Sequence, residues 1–333
     1  MAGNQIVQIG AGKKRASKSK SKKGSSKKKA TALQPAVRYL RYELTNSATP
    51  GTEVSHFIDL ARDLSRVNRR LYRQGRDYHV KKITIVSSNT PNGGNRVSAS
   101  TIPSSWTARG AWKRGFETFK LMNKEATHNL TNDISGTWSD FKVYMSNDHR
   151  TSSNILTPKD NGGNDVVAGE WTYSVYISPD GTTSDDQFSI HMLGDSVGSA
   201  GAWTSVSLVK SFGETRATVD SDQPNVPGEA SDDPLLNVFD YGTTVDEVIG
   251  RLEADNDNPP YSASKYCGSE DNMPKPIIVQ DTTIVDGRAV MGGFSAMLGL
   301  LEIEAKSSIA SDVFSILVEL APGKYRGIAA EVI

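Results

Sequence analysis

DQFSIHML (186–193) is the clearest of four stretches that decide the predicted fold; the others are WSDFKVYM (138–145), EWTYSVYIS (170–178) and TSVSLVKSF (204–212). Each contains β-branched or aromatic residues, which favour strands. The segments between them, such as PKDNGGND and PDGTTSD, consist of turn-forming residues. A series of short strands without helices between them indicates a β-sandwich or barrel and disfavours alternating βαβ units.

Further strand signals extend toward both ends of the chain. In RYLRYELT (38–45), Leu40, Tyr42 and Leu44 alternate with charged residues, which is the two-residue period of a half-buried strand. The other stretches are YHVKKITIVSS (78–88), RVSASTI (96–102), PIIVQDTTIV (276–285), GLLEIEAKS (299–307) and DVFSILVEL (312–320). We therefore expect an all-β fold, a sandwich of about eight strands.

Two segments have helical spacing instead. Between residues 56 and 74, apolar side chains recur every three or four residues, and Gly75 would be the C-cap of this helix. These apolar residues are Phe57, Leu60, Leu64, Val67 and Leu71. A second helix, from Thr107 onward, would place Trp112, Phe116, Phe119 and Met122 on one face. Gly110 and Gly115 argue against an unbroken second helix. Both helices are expected to brace the sheets.

The other face of the first predicted helix is basic. It carries Arg62, Arg66, Arg69, Arg70 and Arg73. A solvated helix face is the default explanation for such charges. The alternatives are a second phosphate patch and a contact with an acidic surface of a neighbouring subunit.

The N-terminal segment is far more basic than the rest. In KKRASKSKSKKGSSKKK (13–29) the spacers are Ser, Gly and Ala, so the segment cannot bury an apolar face and should stay disordered until it meets a polyanion. Its basic residues are Lys13, Lys14, Arg15, Lys18, Lys20, Lys22, Lys23, Lys27, Lys28 and Lys29. A nucleic-acid backbone is the natural partner, because phosphate neutralisation releases counterions. A solubilising tail or a nuclear-import signal is the alternative.

The charge balance separates this arm from the body. The chain has 38 basic and 38 acidic residues, and removing the ten basic residues of the arm leaves 28 basic against 38 acidic. An acidic body would not adhere to nucleic acid by itself, so the arm is expected to act as the tether. Much of the acidity lies in a Pro- and Asp-rich segment, 213–276, that reads as a long loop insertion with one helix at 244–253.

Composition limits the classes of protein further. The 333 residues contain a single cysteine, Cys267, so neither a disulfide framework nor a Cys-rich zinc site is expected. The first residues lack the apolar core of a signal peptide, and no run approaches 18 apolar residues. We expect a protein that is made in a reducing compartment and does not enter a membrane.

No motif predicts catalysis or a cofactor. GDSVG (194–198) fits the G-x-S-x-G pattern, but all five histidines precede Ser196, against the Ser, acid, His order of that hydrolase class. We therefore predict a loop between two strands there, no enzyme activity, no cofactor and no metal. The Asp-rich runs 160–165, 180–186 and 255–257 leave open a minor hypothesis of Ca²⁺ at a subunit contact, although none has the EF-hand frame.

Two segments also carry a family resemblance. RYLRYELTNSATPGTE (38–53) and SWTARGAWKRGFETFKLMNKEA (105–126) resemble the capsid proteins of small circular single-stranded DNA viruses known largely from environmental sequencing. The resemblance covers about residues 35 to 130. It implies a disordered arm over 1–34 and a single jelly-roll body over 35–333, which would self-assemble into an icosahedral shell.

The same resemblance implies where the parts act. The arm would lie on the packaged genome inside the virion, with the host nucleus as the place of assembly. The long loops, including 213–276, would form the outer surface and the subunit contacts. Related jelly rolls also package RNA, so the resemblance favours single-stranded DNA without excluding RNA. It says nothing of the host receptor.

Two other classes remain open. A cellular nucleic-acid-binding protein with a β-sheet reader domain and a basic tail would need base-stacking aromatics, and Trp171, Tyr173 and Tyr176 are candidates. A jelly-roll lectin or enzyme with an incidental tail would need a concave carboxylate or histidine site, which the sequence does not contain in recognisable form.

Overall fold

The computed structural model describes residues 35–87, 95–127, 138–167, 169–178, 186–199, 202–214 and 276–333. Several predictions lie outside the described residues. They are the basic arm and its proposed disorder, the helix at 244–253, nearly all of the acidic segment 213–276, Cys267, and most of the Asp-rich runs 180–186 and 255–257.

The described residues form four helices and seventeen strands. The helices are α1 (Leu60–Asn68), α2 (Trp106–Thr127), α3 (Asn147–Thr151) and α4 (Leu208–Glu214). The strands are β1 (Tyr39–Thr45), β2 (Val54–Asp59), β3 (Arg76–Ser87), β4 (Arg96–Thr101), β5 (Tyr144–Ser146), β6 (Val175–Ser178), β7 (Asp186–Leu193), β8 (Val197–Ser199), β9 (Ala202–Ser207), β10 (Ile277–Thr283), β11 (Arg288–Met291), β12 (Phe294–Met297), β13 (Leu300–Lys306), β14 (Val313–Leu320), β15 (Pro322–Gly323), β16 (Gly327–Ile328) and β17 (Ala330–Val332).

Two antiparallel sheets form a β-sandwich. The first sheet has the order β1-β14-β3-β11, and β12 and β17 also pair with β3. The second sheet has the order β10-β4-β13-β2. β15 and β16 pair with each other in a short hairpin. The prediction of a mostly β protein built as a sandwich is confirmed.

The sandwich core follows from the alternation of apolar residues along its strands. Leu40, Tyr42 and Leu44 of β1 are buried, whereas the residues between them are more exposed. They share one core with Ile85 of β3, Ile316 of β14 and residues of the second sheet. The strands predicted at 38–45, 78–88, 96–102, 276–285, 299–307 and 312–320 are all present in the sandwich. Burying one face of each strand explains why these sequences alternate.

The four central stretches do not belong to the sandwich, so their predicted role is wrong. β5, β7, β9 and β8 form a third sheet in that order, with β6 on β7. β7 runs parallel to both β5 and β9, so this sheet is mixed. Alternation reports that a strand is half-buried, but it does not report which sheet the strand joins.

Three of these stretches also contain less strand than predicted. Only Tyr144–Ser146 of 138–145 and Val175–Ser178 of 170–178 are strands. In 204–212 the strand ends at Ser207 and α4 begins at Leu208. A second hydrophobic core, separate from that of the sandwich, lies between the third sheet and the helices α2 and α4. The helix α4 forms because Leu208 and Val209 are buried in this second core and Phe212 packs against it.

Helix α2 covers the third sheet and is continuous through both of its internal glycines. Trp112 is buried, and Phe116, Phe119 and Met122 pack on the second core as predicted. A Cβ at position 110 would lie 2.6 Å from the Phe212 ring, so this glycine allows α2 and α4 to approach closely. Glycine is therefore retained here for packing, at a small cost in helix propensity. Among the described residues, no helix is both long and apolar enough to cross a membrane.

The first predicted helix is shorter than expected at both ends. Residues 54–59 form β2, α1 ends at Asn68, and its C-cap is Arg69 in the left-handed region (φ 51°), so the assignment of Gly75 is wrong. Strand β2 is buried on both faces: Ile58 faces the sandwich core and Phe57 faces the second core. A strand buried on both faces shows no alternation of apolar and polar residues. Phe57 of β2 was therefore counted as part of the apolar face of the helix that follows.

Candidate functional site

A groove of about 520 Å³ lies beside α1. One wall is α1 and the turn after it, which contribute Arg66, Arg69 and Arg70. The opposite wall is formed by Trp138, Lys142 and residues 169–172. The groove therefore combines basic side chains with aromatic rings.

Arg62 lines the groove, but its positive charge is paired with a buried carboxylate. Its side chain is buried, and its Nε donates a hydrogen bond to Asp63 Oδ1 at 2.8 Å. Its guanidinium also donates to the carbonyl oxygen of Leu156. The Tyr42 hydroxyl donates to the other oxygen of Asp63 at 2.8 Å. Burial raises the pKa of Asp63, and the charge of Arg62 opposes that rise. The prediction that Arg62 lies on a solvated basic face is wrong, because this residue neutralises a buried carboxyl.

Arg73 is also occupied, outside the groove lining. Its guanidinium donates to Asp140 Oδ1 at 3.0 Å and to the Ser139 carbonyl oxygen at 3.2 Å. The backbone N–H of Gln74 donates to the second oxygen of Asp140 at 3.3 Å. Arg73 therefore fixes the segment before Lys142 to the end of the α1 turn.

Arg66, Arg69 and Arg70 have no such acidic partner. No ion pair between them and a carboxylate occurs within the described ranges. The Nε of Arg66 is buried and has no hydrogen-bond partner there. Burial lowers the pKa of Arg66, and the nearby charge of Arg62 lowers it further. Arg69 and Arg70 are exposed. Of the five arginines predicted as a patch, these three give the groove its unpaired positive charge.

The tryptophans provide the aromatic part of the groove. Trp138 is 66% exposed, and its role was not predicted; the signal was a tryptophan inside the polar run GTWSD. Trp171 is half-buried, and Lys142 Nζ lies 4.9 Å from its ring centroid, within range of a cation–π contact.

The other two aromatics predicted for base stacking point elsewhere. The Tyr173 ring stacks on Tyr144, with centroids 3.9 Å apart. Tyr176 is buried, and its hydroxyl donates to the carbonyl oxygen of Gly115 in α2. Only Trp171 of that trio reaches the groove.

Asp59 holds the two walls together. Its Oδ1 accepts from the Arg62 N–H at 3.0 Å, which caps the start of α1. Its Oδ2 accepts from Gln74 Nε2 at 2.9 Å, Trp171 Nε1 at 3.1 Å and the Tyr173 hydroxyl at 3.2 Å. The carboxyl is fully buried. Sequence reasoning missed this residue, although an aspartate just before an apolar helix is an N-cap signal.

The remaining sequence candidates do not form a second site among the described residues. Ser196 lies in the predicted loop between two strands, β7 and β8, and its Oγ accepts from the Ser207 N–H at 3.1 Å. Asp160 Oδ1 accepts from the Asn164 N–H at 2.8 Å, and Asp165 pairs with Lys159 at 2.7 Å. No group of three or more His, Cys, Asp or Glu residues that could hold a metal ion occurs in the described part of the chain.

Comparisons with protein families, curated proteins and solved structures found no match to this chain. Its function therefore has to be inferred from the strand order, the charge distribution and the groove.

Proposed function

We propose that the chain is a viral capsid protein, with a single jelly-roll body that self-assembles into an icosahedral shell. The observation that carries this proposal is the strand order of the sandwich. In chain order its eight principal strands are β1, β2, β3, β4, β10, β11 with β12, β13 and β14. Numbered one to eight, they give the sheets 1-8-3-6 and 5-4-7-2.

This order has a simple geometric origin. Strand one pairs with eight, two with seven, three with six and four with five, as in one long antiparallel ribbon. Folding the ribbon over on itself adds the pairs eight with three and seven with four, and both pairs are present. Two interlocked Greek keys of this kind define a jelly roll, the architecture of many viral capsid proteins and also of lectins and cupins.

Exposed apolar residues favour a self-associating capsid protein over a jelly-roll lectin or cupin. Ile278 of β10 is 57% exposed and Val290 of β11 is 53% exposed, and Val285 between the two strands is 65% exposed. β10 and β11 are edge strands of their sheets. Exposed apolar edges of this kind favour contact with another copy of the chain.

The polybasic arm supplies the second half of the proposal. Its ten positive charges and the acidic remainder suit a body that builds the shell and an arm that neutralises the packaged genome. Phosphate contacts of this kind carry no base information, so the arm would bind without sequence preference. The proposed cargo is single-stranded DNA, loaded in the host nucleus.

Deletion of residues 1–30 tests the division of labour. We expect the truncated protein to assemble while its nucleic-acid content collapses, because the body retains its contacts and loses the arm. Particles that package as much nucleic acid as those of the full-length protein would overturn the role of the arm. For the full-length chain, nucleic-acid binding should weaken steeply between low and moderate salt, and a flat response would contradict binding through phosphates.

The cellular reader domain is the second candidate, and the groove with Trp138 and Trp171 is the observation in its favour. Such a protein would remain a monomer or dimer in the salt that permits assembly. Its strand aromatics are less suitable, because Tyr173 and Tyr176 are held in internal contacts.

A further inference from the structure

The first described residues lead directly to the groove. The Val37 N–H donates to Asn68 Oδ1 at 2.7 Å, and Asn68 Nδ2 donates back to the Val37 carbonyl oxygen at 3.0 Å. Arg70 donates to the Pro35 carbonyl oxygen at 3.4 Å. The end of α1 therefore fixes the residues that follow the basic arm. The described chain therefore begins beside the basic wall of the groove.

Basic side chains outnumber acidic ones among the described residues that line the groove. Arg66, Arg69, Arg70 and Lys142 line it together with one carboxylate, that of Glu170. The Glu170 carboxylate accepts a hydrogen bond from the Thr172 hydroxyl at 2.8 Å. The Nε of Arg66 is buried and has no hydrogen-bond partner among the described residues. A phosphate group would balance the charge of the groove arginines and accept hydrogen bonds from several guanidinium groups at once.

The aromatic wall limits which phosphate compounds suit the groove. Trp138 presents an open ring face, with 66% of the residue exposed. Exposed tryptophan faces in a positively charged groove are platforms on which nucleic-acid bases stack. A volume of about 520 Å³ lies within the range of sites that hold a small organic molecule. In a duplex the base faces are already stacked, so a single strand is the better ligand.

We propose that this groove binds a nucleotide unit of single-stranded nucleic acid, with its phosphate on Arg66, Arg69 and Arg70 and its base on Trp138. The body then binds the strand in addition to the arm. The choice of nucleic acid rests on the proposed function. The proposed contacts are to the phosphate and to the base face and none is to the sugar, so DNA and RNA strands are both expected to bind.

The test uses a full-length chain in which the ten basic residues of the arm are replaced by serine. The probe is a fluorescein-labelled fifteen-nucleotide oligo(dT), with oligo(rU) of the same length beside it, and the readout is fluorescence anisotropy over a series of salt concentrations. In this background the groove variant is Arg66→Gln, Arg69→Gln and Arg70→Gln together. The control carries the same loss of three charges on the exposed face of α2: Lys113→Gln, Arg114→Gln and Lys124→Gln.

The groove variant should lower the affinity at least tenfold and reduce the salt slope by about 0.7, since it removes one single-strand phosphate contact and each such contact contributes roughly 0.7. The control should change the affinity far less. Equal losses in the two triple variants would overturn the proposal, because the effect would then depend on net charge alone.

Trp138→Ala tests the base platform separately. We expect about a tenfold loss of affinity with the salt slope unchanged, and no loss with an abasic oligonucleotide of the same length. An unchanged affinity for oligo(dT), or the same Trp138 dependence with a duplex probe, would contradict stacking of a single strand.

Light scattering on the same proteins separates this proposal from the capsid proposal. Particles whose nucleic-acid binding ignores the groove variants would refute the groove and leave the capsid standing. Groove-dependent binding by a protein that never assembles would refute the capsid proposal and support the groove.

Discussion

The sandwich and the inserted unit, residues 102–276 between β4 and β10, depend on each other unequally. Among the described residues, the sandwich core comes almost wholly from its own strands and α1; Leu156 is the one buried member from the described part of the insertion, and Trp171 packs against the core. The second core takes Phe57, Met297, Leu298 and Leu300 from the sandwich chain. The inserted unit thus needs the sandwich as a packing surface, whereas the sandwich is nearly complete without it.

The two regions also differ in strand pairing and in core composition. Every strand pair in the sandwich is antiparallel. The third sheet contains two parallel pairs, and aromatic rings around Phe141 dominate its core. The difference teaches that a self-contained scaffold can carry an insertion that supplies one wall of a binding groove.

The largest expected effect comes from removing one large buried side chain from each core. Phe314→Ala in the sandwich and Phe141→Ala in the inserted unit should each lower the free energy of unfolding by about 3–5 kcal/mol, because both rings are fully buried. Hydrogen exchange should separate them. Phe141→Ala should speed exchange in β7 and β9 and spare β3 and β14, whereas Phe314→Ala should speed exchange in both regions. If both variants speeded hydrogen exchange in both regions, the sandwich would depend on the inserted unit as much as the reverse, which would contradict this account.

Asp59 joins the two regions, so its loss should be the next most costly. Asp59→Ala removes the cap of α1 and leaves the buried donors of Gln74, Trp171 and Tyr173 without their acceptor. We expect a loss of about 3 kcal/mol in urea unfolding, together with weaker binding of oligo(dT). Asp165→Ala is the matched control at an exposed aspartate and should leave the urea midpoint almost unchanged. A small effect at Asp59 would mean that the walls are positioned independently.

His149 makes the contact between the regions sensitive to acid. It stacks on Phe57 of β2 with ring centroids 5.0 Å apart, and its Nδ1 accepts from the Met145 N–H at 3.1 Å. Burial, with the charge of Arg62 adding to it, lowers the pKa of His149 to about 3. The unfolded chain therefore binds a proton below its ordinary pKa of about 6.5 while the folded chain does not, so stability falls as the pH falls.

His149→Asn keeps an acceptor for Met145 and removes this titration. The stability of the unchanged protein should fall more steeply between pH 6 and pH 4, by about 1.4 kcal/mol per pH unit relative to the variant. Urea unfolding at several pH values measures the two slopes. Parallel slopes would show that His149 does not stay neutral in the folded protein.

The smallest effect concerns the packing of α2 on α4. Alanine at an exposed helical glycine stabilises by about 1 kcal/mol, but Gly110→Ala should destabilise by about 1–2 kcal/mol because its Cβ would meet the Phe212 ring. Adding Phe212→Ala should remove that penalty, a coupling that a double-mutant cycle measures. A stabilising Gly110→Ala would mean that the two helices can separate at no cost.

The sequence predicted the sandwich strands well because each buries one face against the opposite sheet. The alternation of Leu40, Tyr42 and Leu44 with more exposed residues in β1 is visible in the sequence. The sequence of β2 shows no such alternation, since the strand is covered on both sides. The third sheet was misassigned for a related reason: its short strands are defined by the helices that pack on them and by parallel partners distant in the chain.

The candidate site was predictable only where charge is local in the sequence. Arg66, Arg69 and Arg70 were identified as a patch, and they do line one groove. The sequence did not distinguish Arg62 from these three, but Arg62 is buried and its guanidinium donates hydrogen bonds to Asp63 and to the Leu156 carbonyl oxygen. Trp138 stood out in the sequence only as a tryptophan inside the polar run GTWSD, and its place opposite the arginines follows from tertiary structure.

The mass of the purified full-length protein in assembly-permissive salt, with the ratio of absorbance at 260 and 280 nm, tests the capsid proposal most directly. Light scattering should give a closed assembly on the order of megadaltons, against 36.0 kDa for one chain, with absorbance at 260 nm raised by packaged nucleic acid. A stable monomer or dimer under those conditions would contradict it.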